Sequence, residues 1–135
     1  MTGNPTKSFL QKLKEKMKIL ITAGSTREYI DPVRFISNPS TGKMGYLLAE
    51  IAKSKGFEVI LVSGPTSLKK QAGVRGIKVE TAEEMKNEVL KVFPEVDCLI
   101  MAAAVSDWKP YKKFLAKIKR KNENSNNCRF YKRIY

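Results

Sequence analysis

The segment Ser40-Thr41-Gly42-Lys43-Met44-Gly45 brings two hydroxyls, a lysine and two glycines to the point where a polar loop passes into a stretch with helical apolar spacing. At the start of a helix, unpaired backbone N–H groups and the positive end of the dipole face outward, and a phosphate or carboxylate fits there. The spacing is not a Walker A loop, which needs a glycine five positions before the Gly42-Lys43 pair, where Ser37 stands. Nor is it G-x-G-x-x-G, because Gly24 stands alone after the first apolar run. An ordinary capped helix start accounts for Ser40, Thr41 and Lys43 equally well, so the pattern leaves anion binding and capping open. The chain has no histidine, which excludes a Ser-His-Asp triad, a Cys-His pair and histidine metal ligation. Cys98 and Cys128 have neither the number nor the spacing of a disulfide framework or a zinc site.

The elements that must position these groups follow from apolar patterning. Phe9 to Lys16 reads as a short helical lead, and Met17 to Thr22 (MKILIT) as a buried strand ending at Ala23-Gly24. A long loop from Ser25 to Ser40 holds Thr26, Arg27, Glu28, Asp31, Arg34, Ser37 and Asn38, and loops of that length are commonly functional. A helix is expected from Gly42 to Lys55, with Met44, Leu47, Leu48 and Ile51 toward the core and Gly56 just past its end. Strands are expected at Glu58 to Ser63, Ile77 to Glu80 and Val96 to Ala104. Between the last two, Thr81 and Glu84 form a capping box for a helix from Ala82 to Phe93 that Pro94 ends.

Continuously apolar strands alternating with helices predict an α/β fold: a doubly wound, Rossmann-like parallel sheet with helices on both faces. Such sheets bind ligands beyond the carboxyl ends of their strands, at the topological switch point. That directs attention to Gly24 to Lys43 and to Ala103 to Pro110.

A chain of 135 residues that is 42% apolar and 29% charged is one globular domain. Its apolar runs are far shorter than a membrane span, and its polar N-terminus has no signal-peptide core, so a cytoplasmic protein is expected. The net charge of +13 is carried by the ends. Residues 19–108 hold eleven basic and eleven acidic side chains, a neutral centre that argues against a nucleic-acid reader.

The stretch ITAGSTREYIDPVRFISNPSTGKMG, from Ile21 to Gly45, resembles the opening of the synthetase domain of the phosphopantothenoylcysteine synthetase family. The likeness continues through Val62-Ser63-Gly64-Pro65, Val79-Glu80-Thr81-Ala82-Glu83-Glu84-Met85, Ala102-Ala103-Ala104-Val105-Ser106-Asp107-Trp108 and Lys117-Ile118-Lys119. It covers about residues 17–120, with 1–16 as a lead or former linker and 121–135 (KNENSNNCRFYKRIY) as a basic tail expected to be disordered. Family members follow this half with a second one, so the resemblance implies a C-terminally truncated domain. In bacteria such a domain commonly sits behind a flavin-dependent decarboxylase in one bifunctional chain.

The resemblance implies a ligase of coenzyme A biosynthesis that uses CTP and a divalent metal, normally Mg2+. It joins 4′-phosphopantothenate to cysteine through an acyl-cytidylate, as a homodimer and with no flavin in this domain. By match to the family, Asn38, Arg34 and Lys117 are implied as catalytic. Gly24, Met101, Ala102, Ala103, Asp107 and Lys117 are implied around the nucleotide, and Ser40, Thr41, Gly42 and Lys43 around a phosphate or the substrate; no residue is implied as a metal ligand. On residue type alone, Asp107 could cap the turn before Pro110, Arg34 could pair with Asp31 or Glu28, and Lys117 could be a solvated lysine in a basic run. A non-catalytic nucleotide-binding fragment or a basic RNA-binding module is the alternative function.

Overall fold

A computed structural model describes residues 8–118 and the strand at 130–133. In chain order the elements are α1 (Phe9–Lys16), β1 (Lys18–Ala23), β2 (Arg27–Tyr29), β3 (Phe35–Ser37), α2 (Lys43–Ser54), β4 (Glu58–Ser63), β5 (Arg75–Lys78), α3 (Ala82–Val92), a 3-10 turn (Phe93–Glu95), β6 (Cys98–Met101), β7 (Trp108–Pro110) and β8 (Phe130–Arg133). β1, β4, β5 and β6 form one parallel sheet in the order β5-β4-β1-β6. The chain leaves β1 through α2 to β4 on one side, whereas β6 arrives on the other side of β1. The switch point therefore lies between β1 and β6.

Both faces of the sheet are covered, which is why its central strands read as continuous apolar runs. Ile19, Ile21 and Ala23 of β1 join Val59 and Leu61 of β4 beneath Ala49 and Ala52 of α2. The alternate residues, Leu20, Ile60 and Val62, pack against Met85 and Val92 of α3. Burying each large aliphatic side chain contributes about 1.5–3 kcal/mol. The doubly wound α/β arrangement expected from the sequence is the one found.

The face of α2 differs from its expected one. Met44, Leu47 and Ile51 are 65%, 46% and 42% exposed, while Gly45, Ala49 and Ala52 are buried and Leu48 and Tyr46 pack at the edge. The reason is distance: a Cβ on Gly45 would lie 2.4 Å from the Ala23 Cβ, so only small side chains fit beneath this helix. Large apolar residues mark a helix face, but the closest helix–strand contact selects the small ones.

The capping box at α3 is present as expected. Glu84 N–H donates to Thr81 Oγ1 at 3.1 Å, and Thr81 N–H donates to Glu84 Oε2 at 3.4 Å. β5 begins two residues earlier than expected, because Arg75 and Gly76 pair with Ile60 and Leu61 although their own side chains carry no apolar pattern. β6 is shorter than the apolar run that suggested it; beyond Met101 the chain follows β1 through separate hydrogen bonds instead of a ladder.

The expected long loop after β1 contains an antiparallel hairpin, β2 paired with β3 from Arg27↔Ser37 to Tyr29↔Phe35. Strands of three residues are too short to show alternation. Within the tail read as disordered, Phe130–Arg133 pairs antiparallel with β7, and its aromatic residues suit a strand. The rest of that tail, and residues 1–7 of the lead, lie outside the described residues.

Candidate functional site

The candidate site is the crevice at the carboxyl ends of β1 and β6. Segment 102–106 is stitched to segment 22–26 through alternating donors. Ala102 N–H donates to Thr22 C=O at 3.2 Å, Ala103 N–H to Thr22 Oγ1 at 3.3 Å and Ala104 N–H to Gly24 C=O at 2.7 Å. Thr26 N–H returns to Ala104 C=O at 3.3 Å, and Ser106 N–H donates to Thr26 Oγ1 at 2.9 Å. The Asn38 amide crosses from the end of β3 and donates to the carbonyls of Ala104 and Val105, each at 3.3 Å. Gly24, Asn38, Ala102 and Ala103 are thereby brought to one place from segments far apart in the chain.

The entry to α2 closes the crevice on the other side of β1. Gly42 is its N-cap with φ 81° and brings no capping side chain of its own. The Ser40 and Thr41 hydroxyls instead accept from the N–H groups of Gly42 and Lys43, both at 3.3 Å. First-turn N–H groups of an uncapped helix are an anion site. Three glycines converge here. Gly24 turns the chain sharply at φ 77°, Gly42 lies so close that its Cβ would be 3.2 Å from the Gly24 Cα, and Gly45 lets α2 touch Ala23. These are the three glycine roles of a dinucleotide fingerprint, with a hairpin inserted between the first and the second. The Gly42-Lys43-Met44-Gly45 spacing was the signal for it, hidden by the separation from Gly24.

Two buried carboxylates that the sequence did not single out hold the hairpin in position. Asp31 accepts from the N–H groups of Val33 (2.9 Å), Arg34 (2.8 Å) and Ile118 (3.1 Å) and from Arg34 Nε (3.0 Å). Burial opposes its ionisation, but these N–H donors and the guanidinium outweigh burial and hold the carboxyl below the ordinary range. Glu28 Oε1 accepts from Ala82 N–H at 2.9 Å, at the start of α3. Burial pushes its carboxyl up, against the Ala82 N–H and Lys109, with Glu83 and Glu84 adding to the rise. In sequence both read as loop charges; only the fold buries them.

The remaining expected residues divide. Met101 is 71% exposed at the mouth of the crevice, and Asp107 is exposed one residue before β7. Arg34 is tied to Asp31 and donates through Nη2 to Ile118 C=O. Its pairing with Asp31, one option open in the sequence, is thus present, and it leaves half of the Arg34 side chain exposed. Lys117 is exposed beside Ile118, with no ion pair among the described residues. A cavity of about 670 Å3 opens next to the crevice at the ends of β4 and β5, lined by Ser63, Gly64, Thr66 and the cations Arg27, Lys70 and Lys78. It adjoins the α2 entry, where Thr66 Oγ1 donates to Thr41 C=O at 2.7 Å, but includes none of Asn38, Ala102, Asp107 or Lys117.

Residues 14–133 match the family model described as the DNA/pantothenate metabolism flavoprotein C-terminal domain. The chain belongs to this family. A member, the coenzyme A biosynthesis bifunctional protein CoaBC of Borreliella burgdorferi, is 49% identical over 112 residues, which are 83% of this chain and 28% of that protein. The crystal structure of a CoaBC C-terminal domain superposes with a TM-score of 0.68 at 52% identity, over 71% of this chain and 48% of that one. A Cab2 mutant in complex with phosphopantothenate-cysteine shares the fold at TM-score 0.64 and 21% identity, over 81% of this chain and 52% of that one. This family chain thus spans about a quarter to a half of the relatives it matches.

Proposed function

We propose that the chain carries the nucleotide half of a phosphopantothenate-cysteine ligase site, acting on CTP, 4′-phosphopantothenate and cysteine. The observation that supports this most is the joining of the Asn38 amide to the Ala104 and Val105 carbonyls, beside the uncapped start of α2. In this reading the nucleoside lies along Ala102, Ala103 and Asp107, and the phosphates face Ser40, Thr41, Gly42 and Lys43. Lys117 neutralises charge on the phosphates. The acid's carboxylate oxygen attacks the α-phosphorus and pyrophosphate leaves, giving an acyl-cytidylate. Cysteine's neutral amine then attacks the acyl carbon, and CMP departs as the amide forms. To donate to the oxygen on which charge grows during that second attack, the Asn38 amide exchanges one of its two carbonyl partners, Ala104 or Val105, for that oxygen.

Among the described residues no three acidic, histidine or cysteine side chains cluster. In this reading magnesium enters with the nucleotide, on phosphate oxygens and water, a set that one or two protein carboxylates ordinarily complete. The test is pyrophosphate release from Mg·CTP with 4′-phosphopantothenate. Lys117→Ala is expected to slow release by on the order of 100-fold, the size of effect seen when one transition-state donor is lost. Release no faster than in Lys117→Ala would refute activity of this chain. Pairing into a homodimer and attachment to a decarboxylase belong to the same proposal, and a single sedimentation experiment reads the first.

A further inference from the structure

Asp31 is fully buried, and both of its oxygens are used. Oδ1 accepts from the N–H groups of Val33 and Arg34 and closes the turn between β2 and β3. An aspartate that only shapes a turn needs no more than that. Oδ2 does something else: it accepts from Arg34 Nε at 3.0 Å and from Ile118 N–H at 3.1 Å, 87 residues along the chain. Arg34, fixed by the same oxygen, donates to Ile118 C=O, so both backbone groups of Ile118 are held by one carboxylate and one guanidinium. Four residues earlier, Phe114 N–H donates to Ile30 C=O at 2.9 Å, and the Lys113 ammonium lies 5.3 Å from the centre of the Tyr29 ring. Residues 115–117 therefore form a short arch between two anchors on the hairpin turn. Lys117 stands next to the firmer anchor with its side chain exposed.

We propose that Asp31 is a positioning residue: it locks Arg34 and the backbone beside Lys117 into one arrangement, so that this lysine reaches the nucleotide phosphates from a fixed root. The clamp follows from the contacts alone; what Lys117 does with it rests on the ligase reading. A lysine on a loose segment loses its effect through the freedom it must give up on binding, and a clamped root removes part of that cost in advance. Asp31→Asn keeps an acceptor for the turn but sets an amide N–H against donors on the Ile118 side. Ile118→Pro removes the N–H that reaches Asp31 without touching the turn's own hydrogen bonds, so it probes the clamp even where Asp31→Asn fails to fold.

Two measurements on the full chain decide the matter. The first is chymotrypsin cleavage after Phe114 and Leu115 under native conditions, referenced to cleavage after Leu47 in α2. Both variants are expected to be cut in this arch at least about tenfold faster than the parent, the effect of losing one charged hydrogen bond. The second is Mg·CTP affinity in a double-mutant cycle. Asp31→Asn or Ile118→Pro should weaken binding roughly tenfold when Lys117 is present and change nothing in a Lys117→Ala background. Unchanged protection of the bonds after Phe114 and Leu115 overturns the clamp. A loss of affinity that persists without Lys117 overturns the positioning role and leaves Asp31 a structural residue. A parent chain that binds no Mg·CTP contradicts the ligase reading and the positioning role together, while the chymotrypsin comparison still reports on the clamp.

Discussion

Asp31 and Glu28 sit three residues apart on the same hairpin and respond to acid in opposite senses. Asp31 is held below its ordinary value of 3.8, so its contribution to stability is fully present above that pH and is lost as pH falls through its lowered value. Glu28 is raised above 4.5, so the folded state binds its proton more tightly than the unfolded chain. Stability from this group is greatest below 4.5 and declines as pH rises through the raised value. Denaturant unfolding across pH 3 to 7 should separate the two. Glu28→Gln, whose amide oxygen can still accept from Ala82 N–H, is expected to abolish the decline on the alkaline side. Asp31→Asn is expected to remove the loss on the acid side. A Glu28→Gln profile that still declines above pH 4.5 would contradict the assignment. Neither carboxylate was legible as a buried group, because burial depends on Ala82 and Ile118, which are distant in sequence.

At the scale of elements, the close approach of α2 to β1 sets the crevice. Gly45→Ala would place a methyl 2.4 Å from Ala23 Cβ, and the helix must move away. A loss of about 1–3 kcal/mol is expected, the usual cost of overpacking, together with weaker nucleotide binding as Gly42 and the first turn shift. Gly56→Ala is the control: a Cβ there meets nothing within 4 Å, although its φ of 91° still imposes backbone strain. Both variants are therefore expected to lose stability in thermal unfolding, and only Gly45→Ala to lose nucleotide affinity as well. The parallel strands were legible because burial on both faces writes itself as unbroken apolar runs, and α3 because Thr81 and Glu84 form a local signal. The face of α2 was misread since Met44, Leu47 and Ile51 obey the same period as Gly45, Ala49 and Ala52, and periodicity does not say which set is inside. The hairpin between β1 and α2 was missed because its strands are shorter than one alternation can reveal. Of the site, the segments around Asn38 and Ala102 to Asp107 were found through the resemblance, while the glycine convergence needed the fold.

For the molecule as a whole, the neutral centre and basic ends mean that charge does not define the site; the sheet's switch point does. The proposed reading gives the crevice between β1 and β6, the start of α2 and the segment around Lys117 one shared task, holding a nucleotide with its phosphates at the glycine turn. A ligand that binds only the folded chain raises its stability, by about 2.7 kcal/mol at a hundred times its dissociation constant. The direct measurement is thermal unfolding of the chain with and without Mg·CTP, with ATP, NADPH and FMN as comparisons. The account predicts a cooperative transition that Mg·CTP raises by several degrees and that Lys117→Ala largely returns to the unliganded value. A rise with FMN or NADPH instead, or no rise with any nucleotide, would contradict it.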